Sequence, residues 1–221
     1  MSARILVINP NSSVTVTDDI ARAVDGLRFN GGPAIDCMTL AEGPPGIETQ
    51  RHVDEVVAPL CRAIERERAE AFVIACFSDP GLHAAREATR TPVFGIAQCG
   101  ILAALARGER FGIVAILEGS IPRHRRYVAS LGLSARMAGE RAMGLGVTQL
   151  AQEDIVADRM THAAERLRDE DGADVIVLGC AGMARYRAPL EAHLGCPVVD
   201  PSQAAVGMAL AMLRSAPEIS A

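Results

Sequence analysis

AFVIAC (Ala71–Cys76) and DVIVLGC (Asp174–Cys180) decide the fold. Each is an almost unbroken apolar run that ends on a cysteine. A strand with one wet face alternates apolar and polar residues, whereas a continuous run of β-branched and aliphatic residues marks a strand buried on both faces, as in a parallel sheet covered by helices. Runs of the same kind recur at Arg4–Asn9, Ala34–Leu40, Pro92–Ile96, Arg110–Leu117 and Pro197–Val199. Between them, Thr49–Arg68, Asp154–Arg168 and Ser202–Arg214 carry apolar residues at helical spacing. Strands alternating with helices predict an α/β fold.

The two stretches also belong to an internal repeat. Cys76 and Cys180 lie 104 positions apart, and TPVFGIAQCGILAALA (Thr91–Ala106) matches CPVVDPSQAAVGMALA (Cys196–Ala211) at an offset of 105. RILVI (Arg4–Ile8) echoes RFGIVAI (Arg110–Ile116). The repeat predicts two pseudo-symmetric lobes, each a mainly parallel sheet flanked by helices, with the active site in the cleft between them. Residues 1–107 form the lobe carrying Cys76 and residues 108–221 the lobe carrying Cys180, with the last helix packing on the first lobe. No low-complexity segment separates the halves, so they are expected in close contact.

Composition removes several classes of function. With 49% hydrophobic residues the chain can bury a core, and a formal charge of −5 with pI near 5.6 offers no footprint for nucleic acid or an anionic membrane. The apolar run at the start, Ile5–Ile8, is shorter than the roughly 7–15 residues of a signal peptide core, and no run approaches the ~18 residues of a membrane span. A cytoplasmic protein is expected, acting on a small molecule and assembling as a homo-oligomer. All 22 Lys+Arg residues are Arg, which excludes a Schiff-base lysine for pyridoxal phosphate and a Walker A lysine. None of the six cysteines has zinc-site spacing, so free thiols and no metal or cofactor are expected.

Cys76 and Cys180 end equivalent strands just before turns, where α/β sheets bind ligands. A cysteine alone at such a place is most often a small buried hydrophobe. Two at repeat-equivalent places suggest thiols facing each other across one cleft, one removing a proton from a stereocentre while the other delivers one to the opposite face. Nearby helix N-termini are expected to lower their pKa, and coupling favours a singly deprotonated pair. Cys37, Cys61, Cys99 and Cys196 lack such a correspondence and read as structural.

VINPNSS (Val7–Ser13), ACFSDPGL (Ala75–Leu82), PVFGIA (Pro92–Ala97) and LGCAGMA (Leu178–Ala184) resemble, in order, the signature segments of the hydantoin and allantoin racemases of the aspartate/glutamate racemase superfamily. The resemblance implies a cofactor-independent racemase with Cys76 and Cys180 as its acid/base pair, and it assigns Asn11 to substrate binding. Glutamate and aspartate racemases follow their cysteines with polar donors, whereas here Phe77-Ser78 and Ala181-Gly182 follow, which suits a neutral flat ring held by backbone N–H groups. The ring is therefore expected to be a 5-substituted hydantoin or allantoin. A decarboxylase or a maleate-type cis–trans isomerase of the same superfamily, a binding protein without catalysis, and a redox protein with a Cys76–Cys180 disulfide are the alternatives.

Other residues carry weaker expectations. Gly119 and Ser120 end the strand equivalent to Val7–Asn9 and are candidate oxyanion donors through their backbone N–H groups, and Ser78 is a candidate donor to an enolate oxygen. Asp79-Pro80 reads as the N-cap and first residue of a helix. Pro44, Pro45 and Gly46 suggest a rigid loop at the cleft edge, which brings His52 near it. His83, His124, His162 and His193 read as solvated, and RHRR (Arg123–Arg126) as a solvated helix face or a patch for an anionic effector.

Overall fold

The computed structural model describes residues 3–151 and 153–215. Strands β1 (Arg4–Asn9), β2 (Ala34–Thr39), β3 (Ala71–Ile74) and β4 (Val93–Gly95) form a sheet in the order β2-β1-β3-β4. Strands β5 (Phe111–Ala115), β6 (Met137–Ala142), β7 (Val175–Leu178) and β8 (Val198–Val199) form a second in the order β6-β5-β7-β8. Every pairing is parallel, and the two halves share one strand order. Of the strands that the apolar runs form, the inner ones β3, β5 and β7 are buried throughout, while β2, β4 and β8 lie at sheet edges. Edge strand β6 was not anticipated from sequence, because MAGERA has no β-branched or aromatic residue and is only partly buried.

The helices are α1 (Val14–Val24), α2 (Gln50–Glu55), α3 (Val57–Arg66), α4 (Leu82–Ala88), α5 (Ile96–Leu105), α6 (Ile121–Ser130), α7 (Glu153–Asp169), α8 (Arg187–Leu194) and α9 (Pro201–Ser215). The single helix expected over Thr49–Arg68 is broken at Val56 into α2 and α3. Pro59 supplies the reason: it has no N–H for the Glu55 carbonyl, and its ring crowds that same group.

The last helix of each half lies against the other half. α5 packs on β7, β8 and β5 as well as on β4, while α9 packs on β3, β1 and β4, on α1, and along α5. Gln203 Nε2 on α9 donates to the Ala23 carbonyl of α1 at 2.8 Å. One apolar cluster accordingly runs from Ile5, Val7 and Val73 of the first sheet to Val114, Ile176 and Leu178 of the second. This exchange of helices fixes the cleft between the sheets.

Asp79 is not the N-cap of α4, as its sequence context suggested. It has φ 42°, the α4 cap is Gly81, and the buried carboxylate turns to a different helix. Its oxygens accept the backbone N–H groups of Ala97 (2.9 Å) and Gln98 (2.8 Å) in the first turn of α5, and the Tyr127 hydroxyl from α6 (2.6 Å). Asp79 thus does for α5 what an adjacent N-cap side chain does, and the residue in the cap position is Gly95. A Cβ at Gly95 would lie 2.3 Å from Asp79 Cγ, whereas one at Gly119 would meet nothing within 4 Å. Gly95→Ala is therefore expected to destabilise the protein by roughly 1–3 kcal/mol, in the range of overpacking, and Gly119→Ala to leave it within about 0.5 kcal/mol of the parent. Equal melting temperatures for Gly95→Ala and the parent would contradict the tight Asp79–Gly95 contact.

Candidate active site

Cys76 and Cys180 each stand two residues beyond the end of an inner strand, β3 and β7. They open onto one narrow cleft between the halves, and both line it. Both thiols are free and half-buried. Much of the remaining wall is apolar, with Val16, Ile47, Ile116 and Val147 contributed by both halves. The Pro44–Glu48 segment crosses toward the second half: Glu48 Oε1 accepts the Val147 N–H at 2.8 Å, and a Cβ on Gly46 would collide with Val147. His52 lies outside the lining, where its Nδ1 accepts the Glu48 N–H at 3.3 Å and steadies that segment.

Helix N-termini do not lower the thiols as expected. Burial pushes Cys76 up to about 12, against the Ser78 backbone N–H and Arg123, which favour the thiolate; Cys180 and Asp79 raise it further. Burial pushes Cys180 up to about 11, opposed by the N–H groups of Gly182 and Ala181 and reinforced by Asp200 and Glu48. The physical reason is position. α4 begins only at Leu82, six residues past Cys76, and the turn after Cys180 is a short 3-10 segment, Ala181–Tyr186. A few N–H groups stabilise an anion less than loss of water destabilises it.

Asn11, Phe77, Ser78, Ser120 and Ala181 line the cleft with the two cysteines. Asn11 is held by its own carbonyl, Oδ1 accepting from Asn9 Nδ2 and from the Ser13 N–H, both at 2.9 Å, while its Nδ2 makes no hydrogen bond among the described residues. Two expected residues are placed otherwise. Gly119 is exposed and outside the lining, and Gly182 is buried with its N–H on the Cys180 sulfur. Ser120 lines the cleft, but its N–H (3.0 Å) and its hydroxyl (2.5 Å) are both spent on the Leu117 carbonyl. The oxyanion role anticipated for Gly119 and Ser120 is therefore not met by this geometry.

The solvated reading of Arg123–Arg126 also fails at its first half. Arg125 and Arg126 are exposed, but Arg123 and His124 are buried and line the cleft. Arg123 Nε donates to Ser78 Oγ at 3.0 Å, and Nη1 to the Glu48 carbonyl at 3.4 Å. His124 Nδ1 pairs with Glu140 Oε1 at 2.5 Å, and its ring meets Phe77 edge to face at 5.3 Å. One sequence signal pointed here: Pro122 marks the start of α6 just past a strand end, so the next two residues sit in a first turn at the carboxyl edge of the sheet. Among the described residues no three His, Cys, Asp or Glu side chains gather as a metal site, and no helix is long and apolar enough to cross a membrane.

A family profile described as Asp/Glu/Hydantoin racemase matches residues 5–209. A hydantoin racemase of Paenarthrobacter aurescens is 39% identical over 217 residues, covering 93% of this chain and 89% of that one. A hydantoin racemase of Rhizobium meliloti is 35% identical, with 94% and 87% covered. Among solved structures, an allantoin racemase from Klebsiella pneumoniae superposes with a TM-score of 0.92 at 32% identity, over 96% of this chain and 88% of that one.

The raised pKa values set the reactivity of the two thiols. Alkylation consumes thiolate, and a thiol with pKa above ordinary has less of it at neutral pH. Iodoacetamide should therefore label Cys76 and Cys180 far more slowly at pH 7 than a free cysteine, the rate climbing with pH through 10. Peptide mass spectrometry reads the two sites separately; a rate that levels off below pH 9 would show that burial does not control them.

Proposed function

The chain belongs to the Asp/Glu/hydantoin racemase family, and we propose that its substrate is a neutral hydantoin-type ring, a 5-substituted hydantoin or allantoin, inverted by the thiols of Cys76 and Cys180. The enzyme is a racemase, an isomerase; the substrate and the two-thiol mechanism are the proposal. The observation that carries it is the pair itself: two free thiols, at equivalent strand ends of opposite halves, line one small cleft. A substrate carbon held between them meets a sulfur on each face. One thiolate takes the proton, the carbon flattens as charge passes to the adjacent carbonyl oxygen, and the other thiol delivers a proton from the far side. No cofactor enters the step.

Burial makes each thiolate a stronger base once formed and lowers the fraction ionised at neutral pH. The apolar wall favours an uncharged ring over a free amino acid, whose ammonium and carboxylate would both lose water there. Asn11 Nδ2 is available to a ring carbonyl. Ser78 accepts from Arg123, which leaves its own hydroxyl proton for the substrate. Free thiols at the reacting centre also suit the reducing cytoplasm, where we place the enzyme.

Racemisation of hydantoins, allantoin and free aspartate or glutamate in deuterated buffer tests the substrate class, with turnover of the amino acids alone as the contrary result. The mechanism is tested by Cys76→Ser and Cys180→Ser. Each should lose racemisation by orders of magnitude, because a serine hydroxyl is a far weaker acid than even a thiol raised by burial. Each should keep solvent deuterium exchange with one enantiomer, and the enantiomer should differ between the two. Exchange of the same enantiomer by both variants would leave a single base and demote the other cysteine to packing.

A further inference from the structure

Arg123 is a buried cation with no carboxylate partner. Among the described residues it forms no ion pair, and its hydrogen bonds go to two neutral acceptors, Ser78 Oγ and the Glu48 carbonyl. Glu140 acts on it through space, but that carboxylate has given Oε1 to His124, and Arg126 on the same helix is a like charge. Removing a guanidinium from water without a counter-charge is unfavourable, and burial does hold its pKa down. Arg123 nevertheless lines the cleft beside Cys76, and its Nη2 makes no hydrogen bond among the described residues.

Several donors near the cleft are engaged: the Ser78, Ala181 and Gly182 N–H groups favour the thiolates, and the Ser120 N–H goes to Leu117. Asn11 Nδ2, the Ser78 hydroxyl proton and Arg123 remain, and of these only Arg123 carries a full positive charge. We propose that Arg123 is a catalytic residue, the group that receives the negative charge when the substrate carbon is deprotonated; this rests on the racemase reading given above. In the step, the C–H pair stays on carbon as the proton moves to one thiolate, a carbon–carbon π bond forms, and the carbonyl π pair moves to oxygen. That oxyanion lies against the guanidinium. When the π electrons return, carbon takes the proton of the opposite thiol, which becomes the thiolate, and nothing is consumed. The cation is in place before charge develops, so no reorganisation is needed when it does. A neutral ring leaves Arg123 unneutralised in the ground state, which makes the interaction one of the transition state and not of binding.

The test uses the full chain with Arg123→Gln and Arg123→Lys, a neutral 5-substituted hydantoin as substrate, and two binding probes, the planar barbiturate anion and neutral hydantoin. Arg123→Gln should lower kcat by roughly 10²–10³-fold, the usual loss for one oxyanion donor. Its KM should move by no more than about threefold, because the lost contact belongs to the transition state. Barbiturate binding should weaken in parallel with kcat while hydantoin binding holds, and Arg123→Lys should recover part of both. Retention of kcat, a loss confined to KM, or a loss confined to hydantoins bearing a carboxylate substituent would overturn the proposal, the last by making Arg123 a reader of the substituent. If Arg123→Gln does not fold, the parent and Arg123→Lys decide: a parent that shows no preference for barbiturate over hydantoin also overturns it. A parent that racemises no hydantoin would count against the substrate reading instead, and the barbiturate comparison would still report on Arg123.

Discussion

The Asp79 carboxylate is the joint on which the site depends. It binds the first turn of α5 through two backbone N–H groups and α6 through Tyr127, and it lies three residues past Cys76. α5 rests on the second sheet and α6 belongs to the second half, so one side chain ties the Cys76 loop to the half that carries Cys180. The joint costs stability. Burial raises the Asp79 carboxyl to about 6, against its three donors, and a folded-state pKa above the unfolded value near 4 means the folded chain holds that proton more tightly. Stability from this group is present below about pH 4 and is lost as pH rises toward 6. A left-handed φ at a residue other than glycine adds strain of order 1–3 kcal/mol. Such a feature survives only where position matters more than stability.

The repeat shows how the two halves diverged around this joint. Gly95 and Asp200 occupy equivalent places at the 105-residue offset, each just before a last helix. Asp200 caps its own helix, accepting the Gln203 N–H at 2.7 Å, with Pro201 as the first helical residue. In the first half the cap comes from Asp79, and glycine is required at 95 to make room for it. The same backbone need is met by a neighbour in sequence in one half and by a neighbour in space in the other.

That difference separates what was legible in the sequence from what was not. Apolar runs and the repeat disclosed the inner strands, the parallel sheets and the two thiols, because burial on both faces and duplication write themselves along the chain. Strand β6 escaped because an edge strand needs no continuous apolar run. The break at Val56 was visible in Pro59, two residues into the second helix, but was masked by strong helical spacing on either side. Asp79 followed by proline imitates a local cap, and only the tertiary contact with Ala97 and Gln98 overrides it. Arg123 and His124 were hidden in a charge-rich tetrad whose two members on the cleft side differ from the two in water only by their angle around the helix.

The cleft is symmetric in scaffold and asymmetric in charge. Arg123 favours the thiolate at Cys76, while Asp200 and Glu48 oppose it at Cys180. Thermodynamics limits what this asymmetry can do. Two enantiomers of a simple ring have equal free energy in water, so the equilibrium constant of racemisation is unity, and kcat/KM must be the same in both directions whatever the two thiols experience. The unequal surroundings can therefore appear only as compensating differences in kcat and KM for the two hands. A duplicated scaffold would serve the proposed chemistry by supplying two acids on opposite faces of one carbon; it would not need to supply two identical ones, so unequal surroundings at equivalent strand ends are compatible with it.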